Sequence, residues 1–349
     1  MSVFANALIL TGPTACGKTA LALDVAEHLN AEIIALDSMT VYRGMDIGTA
    51  KPTATERQRV RHHLIDVLDP WESLSVGWWL ERATEACRDI TARGKRPLFV
   101  GGTPFYLKAL LHGLFDGPPA DQVVRCTLEA EAERDGKDKL HARLALVDPK
   151  TATRLHPNDV RRVVRALEVY TLTGKPISAW QQTWDTPAFT DSPELVPPPV
   201  RIPAVVLVLP REVLYERINR RVDMMLASGW LDEVRRLREL PKPLSRESRQ
   251  ALGYRELLEY LETVEDQGAG DDACEPRLPG ANEGRWTETA ELIRTHTRHF
   301  AKRQLTWFRH LPQLVPIIAN SSDTLGEVLT ALQRDFASNS LAGEIDTLA

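Results

Sequence analysis

The chain has 349 residues, of which 43% are hydrophobic and 26% are charged, and its formal net charge at pH 7 is −5. These values are typical of a folded globular protein with a sizeable core and two domains. No apolar run approaches the ~18 residues of a membrane helix, and the first ten residues lack the basic segment of a signal peptide. The net charge gives no global indication of nucleic-acid binding.

The four cysteines are scattered, at Cys16, Cys87, Cys126 and Cys274, and no two of them form a CxxC pair. Their spacing argues against a zinc site or a disulfide framework and fits a reducing compartment. We therefore expect a cytoplasmic protein with no membrane attachment.

Residues 12–19 read GPTACGKT, which fits the GxxxxGKT pattern of the nucleotide-binding and ATP-binding P-loop. They follow the apolar run 7–10, a predicted buried strand, and precede 19–29, a predicted helix. Glycines let the backbone fold around phosphate oxygens, Lys18 adds positive charge, and the Thr19 hydroxyl can hold Mg²⁺. The predicted phosphate-binding residues are Gly12, Pro13, Thr14, Ala15, Cys16, Gly17, Lys18 and Thr19. The motif predicts a phosphate site but not the reaction.

Two further apolar runs, 32–36 and 97–100, predict buried strands that end next to Asp37 and Thr103. Because ligands of open α/β sheets bind beyond the carboxyl ends of the strands, we expect both side chains beside the P-loop. Asp37 is a candidate general base or magnesium partner, or simply a turn residue. Thr103 equally suits the start of a helix over 104–112. The second run ends in Gly-Gly-Thr, without the acid of a P-loop ATPase or GTPase, which favours a kinase-like or group-transfer enzyme.

Residues 41–70 are irregular, with a predicted short strand near 63–67, and 76–93 have helical spacing. Tyr42, Arg43 and Lys51 are candidates to face a ligand, and a solvated loop is the alternative.

Residues 123–185 have helical periodicity almost throughout and predict an inserted all-helical subdomain. One helix is predicted to begin at Asn158, with a buried stripe of Val163, Val164, Leu167 and Tyr170. Its arginines predict a basic patch, or else a solvated face. The members of this patch are Arg154, His156, Arg161, Arg162 and Arg165.

The prolines within 186–203 indicate a return linker, and 204–209 predict a strand that rejoins the core sheet. The next predicted helix, 211–227, places Arg217 and Arg221 on one face, where an arginine can neutralise a leaving phosphate. We predict an α/β fold with a P-loop NTPase-like parallel sheet flanked by helices. Its predicted segments are 1–122 (first part of the core), 123–199 (helical insertion) and 200–349 (second part of the core).

The last long predicted helix, 286–309, lies within a stretch that has no acid from residue 292 to 313. A stripe of one charge sign with interleaved aromatic side chains suits a phosphate backbone and stacked bases. The stripe comprises Arg294, Arg298, Lys302, Arg303 and Arg309. Residues 265–285 read as a surface insertion, and 315–319 predict a final strand.

Six stretches together resemble the bacterial tRNA dimethylallyltransferase (tRNA isopentenyltransferase) family, in the order of that family. They are GPTACGKT, DSMTVYRGMDIGTAKP, LFVGGTPFYLKALL, HPNDVRRVVRALEVY, RQALGYREL and TRHFAKRQLTWFR. The resemblance implies transfer of a dimethylallyl group from dimethylallyl diphosphate, with Mg²⁺ as cofactor and diphosphate as by-product. The implied acceptor is the exocyclic amine of the adenosine immediately 3′ of the anticodon (position 37 of the tRNA), in the anticodon stem-loop of tRNAs reading codons that begin with U. A monomer is expected.

The resemblance also assigns roles to residues. It implies that Asp37 is the general base and that Thr103 and Arg217 assist at the transferred group and its diphosphate. Cys16 stands where the family usually has serine. Arg125 matches none of the six stretches and is expected to contact tRNA from its place at the insertion entrance. The full predicted tRNA-binding set is Asp37, Ser38, Met39, Thr40, Thr103, Arg125, Arg161, Arg162, Val163, Val164, Arg165, Arg249, Gln250, Tyr254, Lys302, Arg303, Trp307 and Arg309.

Three alternatives are weaker. A small-molecule or nucleotide kinase has no use for the acid-free basic helix. An adenylate isopentenyltransferase shares the pocket but does not need two basic regions. A non-catalytic RNA-binding protein does not need a complete P-loop facing Asp37 and Thr103.

Overall fold

The computed structural model describes residues 3–114, 117–180, 202–265, 281–319 and 323–334. It divides into two compact units, a core unit of Met1–Leu111 with Val200–Ala349 and a helical unit of His112–Pro199. The helical unit begins before the predicted boundary at 123, because the preceding helix of the core ends at His112. Most of the predicted linker 186–203 and insertion 265–285, together with Cys274, lies outside the described residues.

The core unit contains a six-stranded, wholly parallel sheet in the order β3-β2-β4-β1-β5-β6. Its strands are β1 (Leu8–Thr11), β2 (Ala31–Ala35), β3 (His62–His63), β4 (Arg96–Gly101), β5 (Ala204–Val208) and β6 (Leu314–Ile318). The predicted parallel α/β sheet is therefore confirmed. The predicted strand near 63–67 is shorter than expected, because Leu64 and Asp66 adopt positive φ angles of 61° and 56° and turn the chain.

Helices cover both faces of this sheet. In the first half of the core unit they are α1 (Lys18–His28), α2 (Ala54–Arg59), α3 (Val76–Ala92) and α4 (Pro104–His112). The helical unit contains α5 (Gln122–Asp135), α6 (Lys137–Val147), α7 (Pro149–Arg154), α8 (Val160–Thr173) and α9 (Ile177–Trp180). The second half of the core unit adds α10 (Arg211–Ala227), α11 (Trp230–Arg238), α12 (Arg246–Arg249), α13 (Tyr254–Glu265), α14 (Ala281–Arg309) and α15 (Thr324–Gln333). Within the described residues, none of these helices is long and apolar enough to cross a membrane.

The apolar residues of the strands alternate between the two faces of the sheet. Ile9 and Phe99 pack in one core cluster with Trp79, whereas Leu8 and Leu10 pack in the other with α1 and α15. All of these side chains are fully buried, and each contributes on the order of 1.5–3 kcal/mol by leaving water. The two cores hold the carboxyl ends of the strands in a fixed arrangement.

Trp230, the first residue of α11, fills a space between two glycines that are far apart in sequence. A Cβ atom at Gly48 would lie 2.2 Å from the indole, and one at Gly253 would lie 2.0 Å from it. Nearby, the buried Glu233 carboxylate accepts hydrogen bonds from the Asp46 and Ile47 N–H groups at 3.0 and 2.8 Å. This cluster fixes the loop that follows β2 against the second half of the core.

The helical unit is built around α8. Its N-cap is Asp159, whose side chain accepts from the Arg162 N–H, and not Asn158 as predicted. The buried carboxylate of Glu168 accepts from Arg125 at 2.9 and 3.1 Å and from Arg165 at 2.7 Å. A fully buried acid needs such partners, because an unpaired charge away from water is costly.

Candidate active site

Three loops meet beyond the carboxyl ends of β1, β2 and β4, as the sequence predicts for an open α/β sheet. They are the P-loop (12–19), the loop that begins at Asp37, and the loop 101–103. The Ser38 N–H donates to the Thr103 hydroxyl at 3.3 Å, which joins the second and third loops directly. The structure therefore places Asp37 and Thr103 on adjoining loops.

The cation of the P-loop is held inside the loop. Lys18 Nζ donates to the carbonyl oxygens of Gly12 and Pro13 at 2.8 and 2.6 Å and lies 3.7 Å from Cys16 Sγ. Burial lowers the pKa of Lys18, and Arg221 adds to this effect while Cys16 and Asp37 oppose it. The Lys18 side chain thus lies inside the loop that would surround a phosphate group.

Two arginines of α10 reach this region. A Cβ atom on Gly17 would lie 4.0 Å from a guanidinium nitrogen of Arg217, so Arg217 lies beside the P-loop. Arg221, one turn further on, is half-buried and interacts electrostatically with Asp37, Cys16 and Lys18. Burial lowers the pKa of Arg221, and Asp37 opposes the shift. Sequence reasoning placed Arg221 on the right face but did not assign it to the site.

Asp37 is half-buried and has a structural role of its own. Its Oδ1 accepts hydrogen bonds from the Met39 and Thr40 N–H groups at 2.7 and 3.2 Å. These bonds show that Asp37 is a turn residue, which the sequence analysis gave as the alternative to a general base. They leave Oδ2 without a hydrogen bond among the described residues, so one carboxylate oxygen is available for proton transfer.

Gln304 is a site residue that sequence reasoning missed. It lies on α14 and is 2% exposed, and its Oε1 accepts from the Thr14 N–H at 2.9 Å. Its Nε2 donates to the Gly102 carbonyl at 2.6 Å. In the sequence, Gln304 is marked only by its place within the RQLTWFR stretch, directly after the charged residues Lys302 and Arg303.

In the helical unit the predicted RNA-binding residues separate into two groups. Arg161 and Arg162 are exposed, and Arg162 pairs with Asp159 at 3.0 Å. The prediction is wrong for the side chains of Val163 and Val164, which are 1% and 3% exposed and pack in the core of the unit. Arg125 and Arg165 are tied to Glu168, so both have a structural role in the unit.

The comparisons with known proteins agree with each other. The model of the family "IPP transferase" matches residues 40–311, and that of "Isopentenyl transferase" matches residues 5–68. The chain belongs to the IPP transferase family. It is 43% identical to a tRNA dimethylallyltransferase of Geobacter metallireducens over 88% of this chain and 91% of that one. It is 46% identical to one of Xanthomonas axonopodis pv. citri over 87% and 86% of the two chains.

Two solved structures of the family are similar to this one. The tRNA isopentenylpyrophosphate transferase of Bacillus halodurans is 37% identical, with a TM-score of 0.61 over 93% of this chain and 95% of that one. A eukaryotic dimethylallyltransferase acting on tRNA is 28% identical, with a TM-score of 0.67 over 90% and 73% of the two chains. None of these relatives supports the kinase alternative.

The basic stripe of α14 has two halves with different surroundings. Arg294 is paired with Asp223 and Glu291, and Arg298 with Asn219 and Glu291. The second half is exposed, with Trp307 36% exposed, and within the described residues its cations form no ion pairs. These cations are Lys302, Arg303 and Arg309. The second half is therefore the part of the helix that can meet an anionic partner.

Other predicted contact residues are occupied by the fold. Tyr254 is 1% exposed and its hydroxyl donates to Glu233 at 2.6 Å, so the prediction that this side chain contacts RNA is wrong. Lys51 is an internal cation between Asp46 and Asp66, both at 2.6 Å, and Tyr42 is buried. Neither faces a ligand.

Of the remaining residues predicted to contact RNA, Thr40 is buried and the others are at least partly exposed. Arg249 and Gln250 are exposed, with Arg249 paired to Glu262, and Ser38 and Met39 are half-buried. Thr40 is 8% exposed, and its hydroxyl has no hydrogen-bond partner among the described residues.

Proposed function

We propose that this protein transfers a dimethylallyl group from dimethylallyl diphosphate to the exocyclic amine of an adenosine in tRNA and releases diphosphate. Relatives of the same family, aligned over most of the chain, are named for this activity. The observation that carries the proposal is the meeting of a P-loop, Asp37 and Thr103 at one edge of the sheet, with Ser38 N–H bonded to Thr103. The acceptor is the adenosine immediately 3′ of the anticodon, in tRNAs that read codons beginning with U.

The reaction needs a base because an exocyclic adenine amine is a weak nucleophile, its lone pair being conjugated with the ring. The amine lone pair forms the new bond to C1 of the allylic group while the C1–O bond breaks. The electron pair of that bond leaves with the diphosphate. The amine proton passes to Asp37, whose Oδ2 is available. Holding the amine and the allylic carbon in the correct relative position also accelerates the reaction.

The leaving diphosphate requires positive charge at the P-loop. Lys18, the loop N–H groups and Arg217 provide it, and Thr103 positions the transferred group. Arg221 adds a second guanidinium, which interacts electrostatically with Asp37 and Lys18.

Magnesium fits this site only with help from the substrate. Among the described residues, no group of three or more His, Cys, Asp and Glu side chains could hold a metal ion. Mg²⁺ is often held by one or two protein oxygens together with phosphate oxygens, and Thr19, exposed at the start of α1, supplies one such oxygen. When bound, the ion neutralises charge on the diphosphate.

Each unit carries exposed cations that can bind the phosphate backbone of RNA. They are Arg161 and Arg162 on α8 of the helical unit, and Lys302, Arg303 and Arg309 on α14 of the core unit. Trp307 offers an aromatic surface for a base. Because the target base must enter the pocket, it has to leave the anticodon loop, where bases are not paired in a duplex.

A transfer assay tests the proposal. The protein is mixed with magnesium, labelled dimethylallyl diphosphate and an unmodified anticodon stem-loop carrying adenosine at the target position. Matched stem-loops with guanosine there, and reactions with labelled ATP, serve as controls. We expect label only in the adenosine stem-loop with the allylic donor. Phosphoryl transfer from ATP without prenyl transfer would contradict the proposal.

A further inference from the structure

A single buried amide joins the two loops on which the proposed transfer depends. Gln304 accepts from Thr14 in the P-loop and donates to Gly102, the residue before Thr103. Thr103 in turn accepts from Ser38, next to Asp37. Hydrogen bonds, together with the peptide links between neighbouring residues, therefore connect the P-loop with Ser38, the residue next to Asp37.

The chemistry of the bridge suits glutamine. One arm must accept from a backbone N–H and the other must donate to a backbone carbonyl, which an ionised glutamate cannot do. The amide packs closely against the backbone of Gly102, because a Cβ atom there would lie 2.5 Å from Gln304 Nε2 and 2.9 Å from the Gly12 carbonyl oxygen. The amide thus fixes the separation of the P-loop and the loop 101–103.

The bridge also lies on the helix that carries the basic surface. Lys302 and Arg303 precede Gln304 directly, Trp307 follows one turn later, and all three are exposed while Gln304 is buried. Residues at this spacing on one rigid helix cannot move independently. The position of the RNA-facing surface is therefore tied to the spacing of the loops inside.

We propose that Gln304 is a positioning residue for the transfer reaction, which sets the P-loop, and with it the donor carbon, at the correct distance from Asp37. This inference rests on the proposed function. Gln304 itself does not touch the reacting atoms. Gln304 also accepts the hydrogen bond of the Thr14 N–H. The Thr14 N–H therefore holds the P-loop in place, while the other N–H groups of the loop bind diphosphate.

Two substitutions separate hydrogen bonding from volume. Gln304→Met keeps the length of the side chain but loses both bonds, and Gln304→Asn keeps the amide on a shorter arm. The matched control is Thr297→Ala on the same helix, since the Thr297 hydroxyl bonds to the Ile293 carbonyl within α14. For each variant we would measure kcat, KM for dimethylallyl diphosphate, the Kd of the stem-loop and the melting temperature.

We expect kcat to fall by about 10- to 100-fold in both Gln304 variants, because small misplacements of reacting groups carry costs of this size. KM should change far less than kcat, and the Kd of the stem-loop should stay near the wild-type value. A merely structural residue would lower the melting temperature without this separation of kcat from KM. The Thr297→Ala variant should match the wild type.

Wild-type kcat in Gln304→Met would overturn the inference, because volume alone would then suffice. If that variant is unfolded at the assay temperature, Gln304→Asn decides the question, and undiminished kcat there would also overturn it. An inactive wild-type protein would contradict the proposed function and with it this inference. An active wild type with undiminished variants would contradict the inference alone.

Discussion

Asp37 has two roles that a single substitution can separate. Its Oδ1 holds the turn through the Met39 and Thr40 N–H groups, and its charge serves proton transfer. Asparagine keeps an acceptor oxygen for the turn but cannot take the proton at neutral pH. Alanine removes both roles and should also destabilise the turn by about 1 kcal/mol, as the loss of a helix cap does.

We expect Asp37→Asn to lower kcat by roughly 10²- to 10⁴-fold, the usual contribution of a general base, with stem-loop affinity and melting temperature unchanged. Single-turnover transfer and RNA binding, measured on the same preparation, test this. Activity of the asparagine variant at the wild-type level would show that Asp37 is a turn residue only. The Asp37→Ala variant then shows how much the turn alone contributes.

The elements that carry basic residues differ in how much of their charge is free for a partner. In α8 the guanidinium of Arg165 is bound to the buried Glu168, whereas Arg161 is exposed. Hydrogen bonds to a charged group contribute about 1.5–3 kcal/mol when buried. Substitution of these two arginines by alanine, one turn apart, should therefore affect different properties: stability for Arg165 and RNA binding for Arg161.

Arg165→Ala should speed amide hydrogen exchange in α5 and α8, because Glu168 loses one of its two arginine partners. Arg161→Ala should leave exchange unchanged and weaken binding of the stem-loop, with a shallower dependence of affinity on salt. Hydrogen exchange by mass spectrometry and binding at several salt concentrations measure the two effects. Equal exchange in both variants would refute the structural role of Arg165.

In α14, likewise, Lys302 is exposed, whereas Arg294 is paired with Asp223 and Glu291. For Lys302→Ala we expect the slope of log affinity against log salt to fall by about 0.7–1, the loss of one phosphate contact. For Arg294→Ala the slope should be unchanged. If the salt slope changed for Arg294→Ala and not for Lys302→Ala, the first half of α14 would contact RNA and the proposed surface would be wrong.

At the scale of the whole molecule, Glu32 links the stability of the core sheet to pH. This buried carboxylate of β2 accepts from Arg93 at 2.6 Å and is 2.8 Å from His63 Nε2. Burial by itself raises the pKa of Glu32, but the hydrogen bonds of Arg93 and His63 outweigh it and hold the pKa at about 2. A carboxylate with a lowered pKa stabilises the fold above its unfolded-state pKa, and that stability is lost as the pH falls towards its folded-state value.

We therefore expect Glu32→Gln to lower the free energy of unfolding by about 3 kcal/mol at pH 7. The difference from the wild type should shrink as the pH falls from about 5 to about 2, since protonated glutamate resembles glutamine. Urea unfolding at a series of pH values measures this. Glu27→Gln, which breaks an exposed pair with Arg59, is the control and should change little. A difference that is constant with pH would contradict the expectation.

Local patterns predicted most of the fold and the centre of the site. The P-loop and the polar residues after β2 and β4 were predictable, because parallel strands bring their carboxyl ends to one edge. The RNA surfaces were only partly predictable. Exposed and internally paired arginines look alike in a sequence, so the tie between Arg165 and Glu168 could not be seen. Gln304 was missed because its partners, Thr14 and Gly102, are brought to it only by the tertiary fold.

The close packing of Trp230 against Gly48 and Gly253 restricts which substitutions this chain can accept. Gly48, Trp230 and Gly253 occupy one space, so a larger residue at either glycine must be matched by a smaller one at 230. Single substitutions at any of the three positions therefore cost stability, while some double substitutions restore it. Substitutions in two stretches about two hundred residues apart in the chain are in this way coupled in evolution.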